Sequence, residues 1–148
     1  MMLSSCTNII RSRIIYPKLV NRRYYHSRTI MTATRIGTGD PRMSKIVVHS
    51  GVVYISGQTD ATADSIQGQT QNVLNKVNDL LSQAGTSKSN LLTASIWLKD
   101  IGRDFSGMNE VWNGWVDPRN KPVRATVEAS LARPQLLVEV QVTAATEK

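Results

Sequence analysis

The sequence predicts an α+β sandwich, with one sheet carrying two helices on a single face. Two observations carry that expectation. Five short runs rich in β-formers read as strands, the last two alternating apolar and polar residues with period two, and two longer runs repeat apolar residues at helical spacing. Their order along the chain reads β-β-α-β-α-β-β.

Taken in order, Lys45-Ile46-Val47-Val48 and Val52-Val53-Tyr54-Ile55-Ser56 flank His49-Ser50-Gly51 and predict a hairpin. Ser56-Gly57-Gln58 ends its second strand; the glycine suits either a bulge or close backbone approach to a ligand. A helix follows, capped by Asp64 or Ser65, and Asp64 with Gln67 has capping-box spacing. Ile66, Val73, Val77, Leu80, Leu81 and Ala84 make its apolar stripe, Gly68 is tolerated near its first turn, and Gly85 supplies a left-handed cap. Residues 91–99 read as a strand. Asp104 is expected to cap a second helix over residues 105–116, with Phe105, Met108, Val111, Trp112 and Trp115 facing the core. Asp117-Pro118 stops it.

Residues 122–130 and 136–144 complete the set, both alternating. Val123, Ala125, Val127 and Ala129 share one face of the first; Leu136, Val138, Val140, Val142 and Ala144 share one face of the second. The link Leu131-Ala132-Arg133-Pro134-Gln135 is short enough for a hairpin. In a hairpin, Arg124 and Glu139 would share a polar sheet face. A guanidinium grips carboxylates bidentately, and a nearby carboxylate can take a proton from water. The plainer alternative is a cross-strand ion pair on a solvated face. That second face, with Arg124, Thr126, Glu139, Gln141 and Thr143, is too polar for a core and rich in β-formers, so further subunits are expected to cover it.

Charge divides the chain. It holds 18 Lys+Arg against 11 Asp+Glu, a net +7. Arg11, Arg13, Lys18, Arg22, Arg23, Arg28 and Arg35 all precede the first acidic residue, Asp40, and from Asp40 onward the formal charges balance. The body therefore lacks the basic footprint of a nucleic-acid binder. Residues 1–30, acid-free and rich in Arg, Ser, Asn and Tyr, have the composition of a mitochondrial transit peptide, with residues 31–148 as one domain. Leu3, Ile9, Ile10, Ile14, Ile15 and Leu19 interleave with its cations, and Arg23-Tyr24-Tyr25 resembles the pattern before matrix processing. The expected location is the mitochondrial matrix, with Met31 as an internal start for a cytosolic form. No run approaches the roughly 18 apolar residues of a membrane span.

The chain's only cysteine, Cys6, lies in that leader, and so does His26, which leaves His49 as the body's histidine. Thiolate nucleophiles, disulfides, Cys-rich zinc sites and Ser-His-Asp triads are thereby excluded or disfavoured for the body. No phosphate-cradling glycine motif appears. Any chemistry falls to Arg, carboxylates, hydroxyls, backbone groups and water.

Six segments in order resemble one family. They are Val53-Tyr54-Ile55-Ser56-Gly57-Gln58, Gln69-Thr70-Gln71-Asn72-Val73-Leu74, Trp97-Leu98-Lys99-Asp100, Phe105-Ser106-Gly107-Met108-Asn109, Pro122-Val123-Arg124-Ala125-Thr126-Val127-Glu128 and Val138-Glu139-Val140. The chain resembles, over about residues 38–144, the RidA (YjgF-like, or RutC) family of reactive-intermediate imine/enamine deaminases. The resemblance implies a chorismate-mutase-like fold, homotrimers with sheets lining the centre, and ligand clefts between subunits. It implies that Arg124 binds the substrate carboxylate and Glu139 activates water. Ser56, Gly57, Asn109 and Thr126 are expected as further substrate-binding residues. Thr126 stands where many members have cysteine, and Arg42 where they have an aromatic residue, which marks a divergent branch. The implied reaction is hydrolysis of 2-imino acids, such as tautomers of 2-aminoacrylate, to 2-keto acids and ammonia, with no metal or cofactor. The alternative is a non-catalytic trimer that binds small carboxylates as a regulatory or chaperone-like module. Nuclease activity, also attached to parts of the family, is disfavoured by the neutral body.

Overall fold

The computed structural model describes residues 32–147; the expected leader, with Cys6 and His26, and the internal start Met31 lie outside them. Six strands form one mixed sheet: β1 (Thr34–Ile36), β2 (Ile46–His49), β3 (Val52–Thr59), β4 (Leu91–Leu98), β5 (Val123–Glu128) and β6 (Val138–Ala145). Helices α1 (Ile66–Gln83) and α2 (Ile101–Trp115) pack together on one side of it. The expected layers are present, with one more strand than the sequence suggested. β1 is three residues long, too short to display a period, and extends the sheet by pairing with β2.

The β2–β3 hairpin turns through Ser50 (φ 51°) and Gly51 (φ 79°). Two consecutive left-handed residues make the turn whose twist matches paired strands. α1 is capped by Ser65, whose hydroxyl accepts from Gly68 N at 3.1 Å. It ends at Gly85 (φ 70°), with Thr86 N donating to Leu81 O and Gly85 N to Ser82 O, both at 3.0 Å, the Schellman arrangement. Its buried side holds the expected stripe plus Leu74, Thr70 and Gln69, except that Ala84 is the C-cap and only partly buried. Gln69 donates to Ala63 O and Gln135 O and accepts from Leu137 N, each at 2.9 Å, so one buried amide ties α1 to two loops.

α2 starts a turn earlier than its expected cap. Asp100 caps it, accepting from Arg103 N at 3.0 Å, and Glu128 Oε2 accepts from Ile101 N at 2.9 Å. Asp104 instead lies buried within the first turn, in an ion pair with Arg103. Asp104, Met108, Trp112 and Trp115 make the inward stripe, which leaves Phe105 outside it, 43% exposed rather than in the core.

The largest correction concerns the last two strands, which do not form a hairpin. The sheet order is β1-β2-β3-β6-β4-β5, with β6 antiparallel to both β3 and β4, and β5 parallel to β4 at the edge. α2 supplies the long crossover that a parallel pair requires. Burial explains the placement. Val138, Val140, Val142 and Ala144 are fully or almost fully buried, so β6 belongs in the middle, whereas β5 is largely exposed and suits an edge.

The register also reverses the expected face of β5. Arg124 pairs with Ala94 and Thr126 with Ile96, both of which face the helices; Val123, Ala125 and Val127 pair with Thr93, Ser95 and Trp97 on the open face. The polar side chains turn inward because α2 offers them partners: Trp112 for Arg124 and the helix N-terminus for Glu128. The open face is consequently mixed, combining Glu139, Gln141 and Thr143 with exposed Tyr54, Val123 and Val127.

Candidate functional site

On the open face the site begins with a bulge. Ile55 pairs with Val142 and Gln58 with Val140, so Ser56 and Gly57 together oppose Gln141. Gln58 Nε2 holds the bulge by donating to Ser56 O at 2.9 Å and to Ser56 Oγ at 3.0 Å. Glu139 pairs with Thr59 on one side and Trp97 on the other, and its carboxylate folds back over Gly57. A Cβ at Gly57 would lie 3.0 Å from Glu139 Cδ and closer still to Oε1, so a glycine is required for the carboxylate to lie there. Ser56, Gly57 and Glu139 thus form one group.

Arg124, Thr126 and Asn109 are associated with the other side, where β5 meets α2. Glu128 reaches Ile101 and Arg124 reaches Trp112, so Thr126 faces the part of α2 between those contacts. Thr126 Oγ1 is buried there without a hydrogen-bond partner. Asn109 shares a helix face with Phe105 and Trp112 and donates to Phe105 O at 2.9 Å. Burial lowers the Arg124 pKa from the ordinary arginine value, yet the group stays cationic. Two cavities of about 280 and 240 Å³ flank it: Thr93, Ser95 and Val123 help line one, Trp112, Asn113 and Lys121 the other. The larger 530 Å³ recess between the helices lies away from these groups, with Gln67, Gln71, Asn75 and Asn78 along its α1 wall.

Arg124 and Glu139 are therefore not neighbours on a shared polar face. They sit on opposite faces of the sheet with β4 between their strands, two strand spacings or roughly 10 Å apart across it and three residues apart along it, Arg124 level with Ala94 and Glu139 with Trp97. The expected cross-strand ion pair does not form either. The ion pairs among the described residues are Arg42–Asp40, Lys76–Asp60 and Arg103–Asp104. Arg42, at the position noted as divergent, is thus bound to Asp40, whose carboxyl it holds down at about 2. Among the described residues no cluster of His, Cys, Asp and Glu could hold a metal ion, and no helix is long and apolar enough to cross a membrane. Helical spacing places Trp112 in the core and says nothing more of it. It is buried, but its ring also underlies Arg124, a contact that no sequence spacing encodes.

Comparison with known proteins agrees with this arrangement. The profile of the family described as Endoribonuclease L-PSP matches residues 15–146. The RutC family protein YoaB of Escherichia coli is 38% identical over 116 residues, covering 78% of this chain and 99% of its own. The mitochondrial protein mmf2 of Schizosaccharomyces pombe is 31% identical over 108 residues, covering 70% of this chain and 83% of its own. The crystal structure of NMB1025, a YjgF-family protein of Neisseria meningitidis, superimposes with a TM-score of 0.77 at 37% identity, covering 80% of this chain and 98% of that one. With six strands and two helices arranged as above, the fold is chorismate-mutase-like. The chain belongs to the RutC/YjgF family, whose profile bears the name Endoribonuclease L-PSP.

Proposed function

We propose that the protein hydrolyses reactive 2-imino acids to 2-keto acids and ammonia, in clefts formed between copies of the chain. One observation supports this above the rest: a guanidinium and a carboxylate, neither engaged in an ion pair among the described residues, sit on opposite faces of one sheet. One copy cannot bring both to a small substrate, but the edge strand of one copy and the bulge of the next can. On this reading Arg124 holds the substrate carboxylate, with Thr126 and Asn109 beside it. Glu139 of the neighbouring copy takes a proton from the attacking water and returns it to the departing nitrogen. Ser56 and Gly57 offer polar backbone and hydroxyl groups to the substrate. The reaction asks for no metal or organic cofactor.

A homotrimer is the assembly we infer, since a mixed open face and an edge strand with Val123 and Val127 exposed call for cover. The mitochondrial matrix is the inferred location, from the leader's composition and the mitochondrial relative in fission yeast, with Met31 as the cytosolic start. An RNA substrate, which the profile's name evokes, sits poorly with balanced charge from Asp40 onward.

The test is ammonia release from freshly generated 2-imino acids, measured above spontaneous hydrolysis. Glu139→Gln should keep the fold and 2-keto acid binding but lose roughly 10²–10⁴-fold in rate. An unchanged rate in Glu139→Gln would remove the mechanism. No catalysed rate in the wild-type protein would leave a carboxylate-binding module.

A further inference from the structure

We propose that Trp112 is a positioning residue for Arg124, holding the guanidinium face-on so that its edge stays free to fork a substrate carboxylate. The inference rests on reading Arg124 as the carboxylate grip. Arg124 Cζ lies 5.1 Å from the centre of the Trp112 ring, within cation–π range of the strongest aromatic partner. An indole stacked on the face of the cation leaves its edges uncovered, and carboxylates are bound by N–H groups in that plane. The two contacts therefore do not compete. On the helix side a recess of about 240 Å³, lined by Trp112, Asn113, Lys121 and Arg124 itself, gives a small carboxylate room beside the pair.

The ring is itself fixed. Trp112 is 5% exposed and packs against Trp115, with ring centres 5.3 Å apart. Trp115 Nε1 donates to Asn78 Oδ1 of α1 at 3.2 Å, and Lys88 Nζ donates to Trp115 O at 2.6 Å while lying over its ring. An arginine on an edge strand would otherwise lose much side-chain freedom on binding. Held in advance against a locked indole, it gives up less.

The experiment uses the full chain with pyruvate as the probe, and calorimetry and imine hydrolysis as readouts. Trp112→Leu should weaken pyruvate binding roughly two- to thirtyfold, the range of a lost cation–π contact. It should raise KM and leave kcat nearly unchanged, while Trp112→Phe recovers most of the loss. A merely structural role would instead lower the active fraction, reducing kcat at constant Kd. In the wild-type protein the Arg124 Nε–H proton should be shifted upfield by the indole ring current, which reports even if Trp112→Leu fails to fold. An unshifted proton would overturn the inference. So would wild-type pyruvate affinity in a folded Trp112→Leu protein while Arg124→Ala loses it. Wild-type affinity in Arg124→Ala is a different result: it would overturn the carboxylate grip itself, and this inference with it.

Discussion

A missing side chain at Gly57 lets Glu139 lie where it does. The chain there is extended rather than left-handed, so alanine meets no backbone obstacle; what it meets is the carboxylate. Gly57→Ala should therefore fold with little loss of stability, because the atom it meets is the far end of a flexible side chain that can move aside. It should push Glu139 off its seat and lower imine hydrolysis by roughly tenfold or more, approaching the loss of the base itself. Pyruvate affinity, set by Arg124, should change less than twofold. Wild-type turnover in Gly57→Ala would separate the bulge from the chemistry. Both residues were legible in the sequence: the glycine as a bulge or close approach, the glutamate by alternation and family likeness. Their contact was not, because it depends on a one-residue register shift between β3 and β6.

Between elements, polar side chains do the joining, and apolar periodicity passes over them. Gln69 carries no apolar signal, yet it satisfies two carbonyls and one amide from the loops before α1 and before β6. Gln69→Leu should cost about 3 kcal/mol, seen as a lower denaturation midpoint, because those groups lose their partner in a buried site. Asp60 plays a similar part after β3. Lys76 and the Thr62 hydroxyl and N–H hold its carboxyl well below the usual range. A depressed folded pKa adds stability above the unfolded value and loses it as pH falls through the folded one. The melting-temperature gap between wild type and Asp60→Asn should thus be full at pH 7 and shrink progressively below about pH 4. A gap that grew on acidification would contradict that sign. The same limit of pattern reading explains the misplaced hairpin. Period two separates the faces of β5 and β6, but which strand each adjoins, and which face turns inward, is decided by tertiary packing. Fully apolar inner positions made β6 central, and partners on α2 drew Arg124 and Glu128 inward.

For the whole molecule, fold class and both helices were readable because periodicity over long segments reports burial directly. The arrangement of Arg124 and Glu139 was not, since it belongs to sheet order and, on our proposal, to the assembly. That proposal is most directly tested by co-expressing Arg124→Ala and Glu139→Gln chains, each inactive alone. If every cleft draws its arginine from one copy and its glutamate from the next, random mixing should restore about a quarter of wild-type imine hydrolysis, because each residue is intact half the time. Mixed assemblies that remain as inactive as their parents would contradict a site shared between copies.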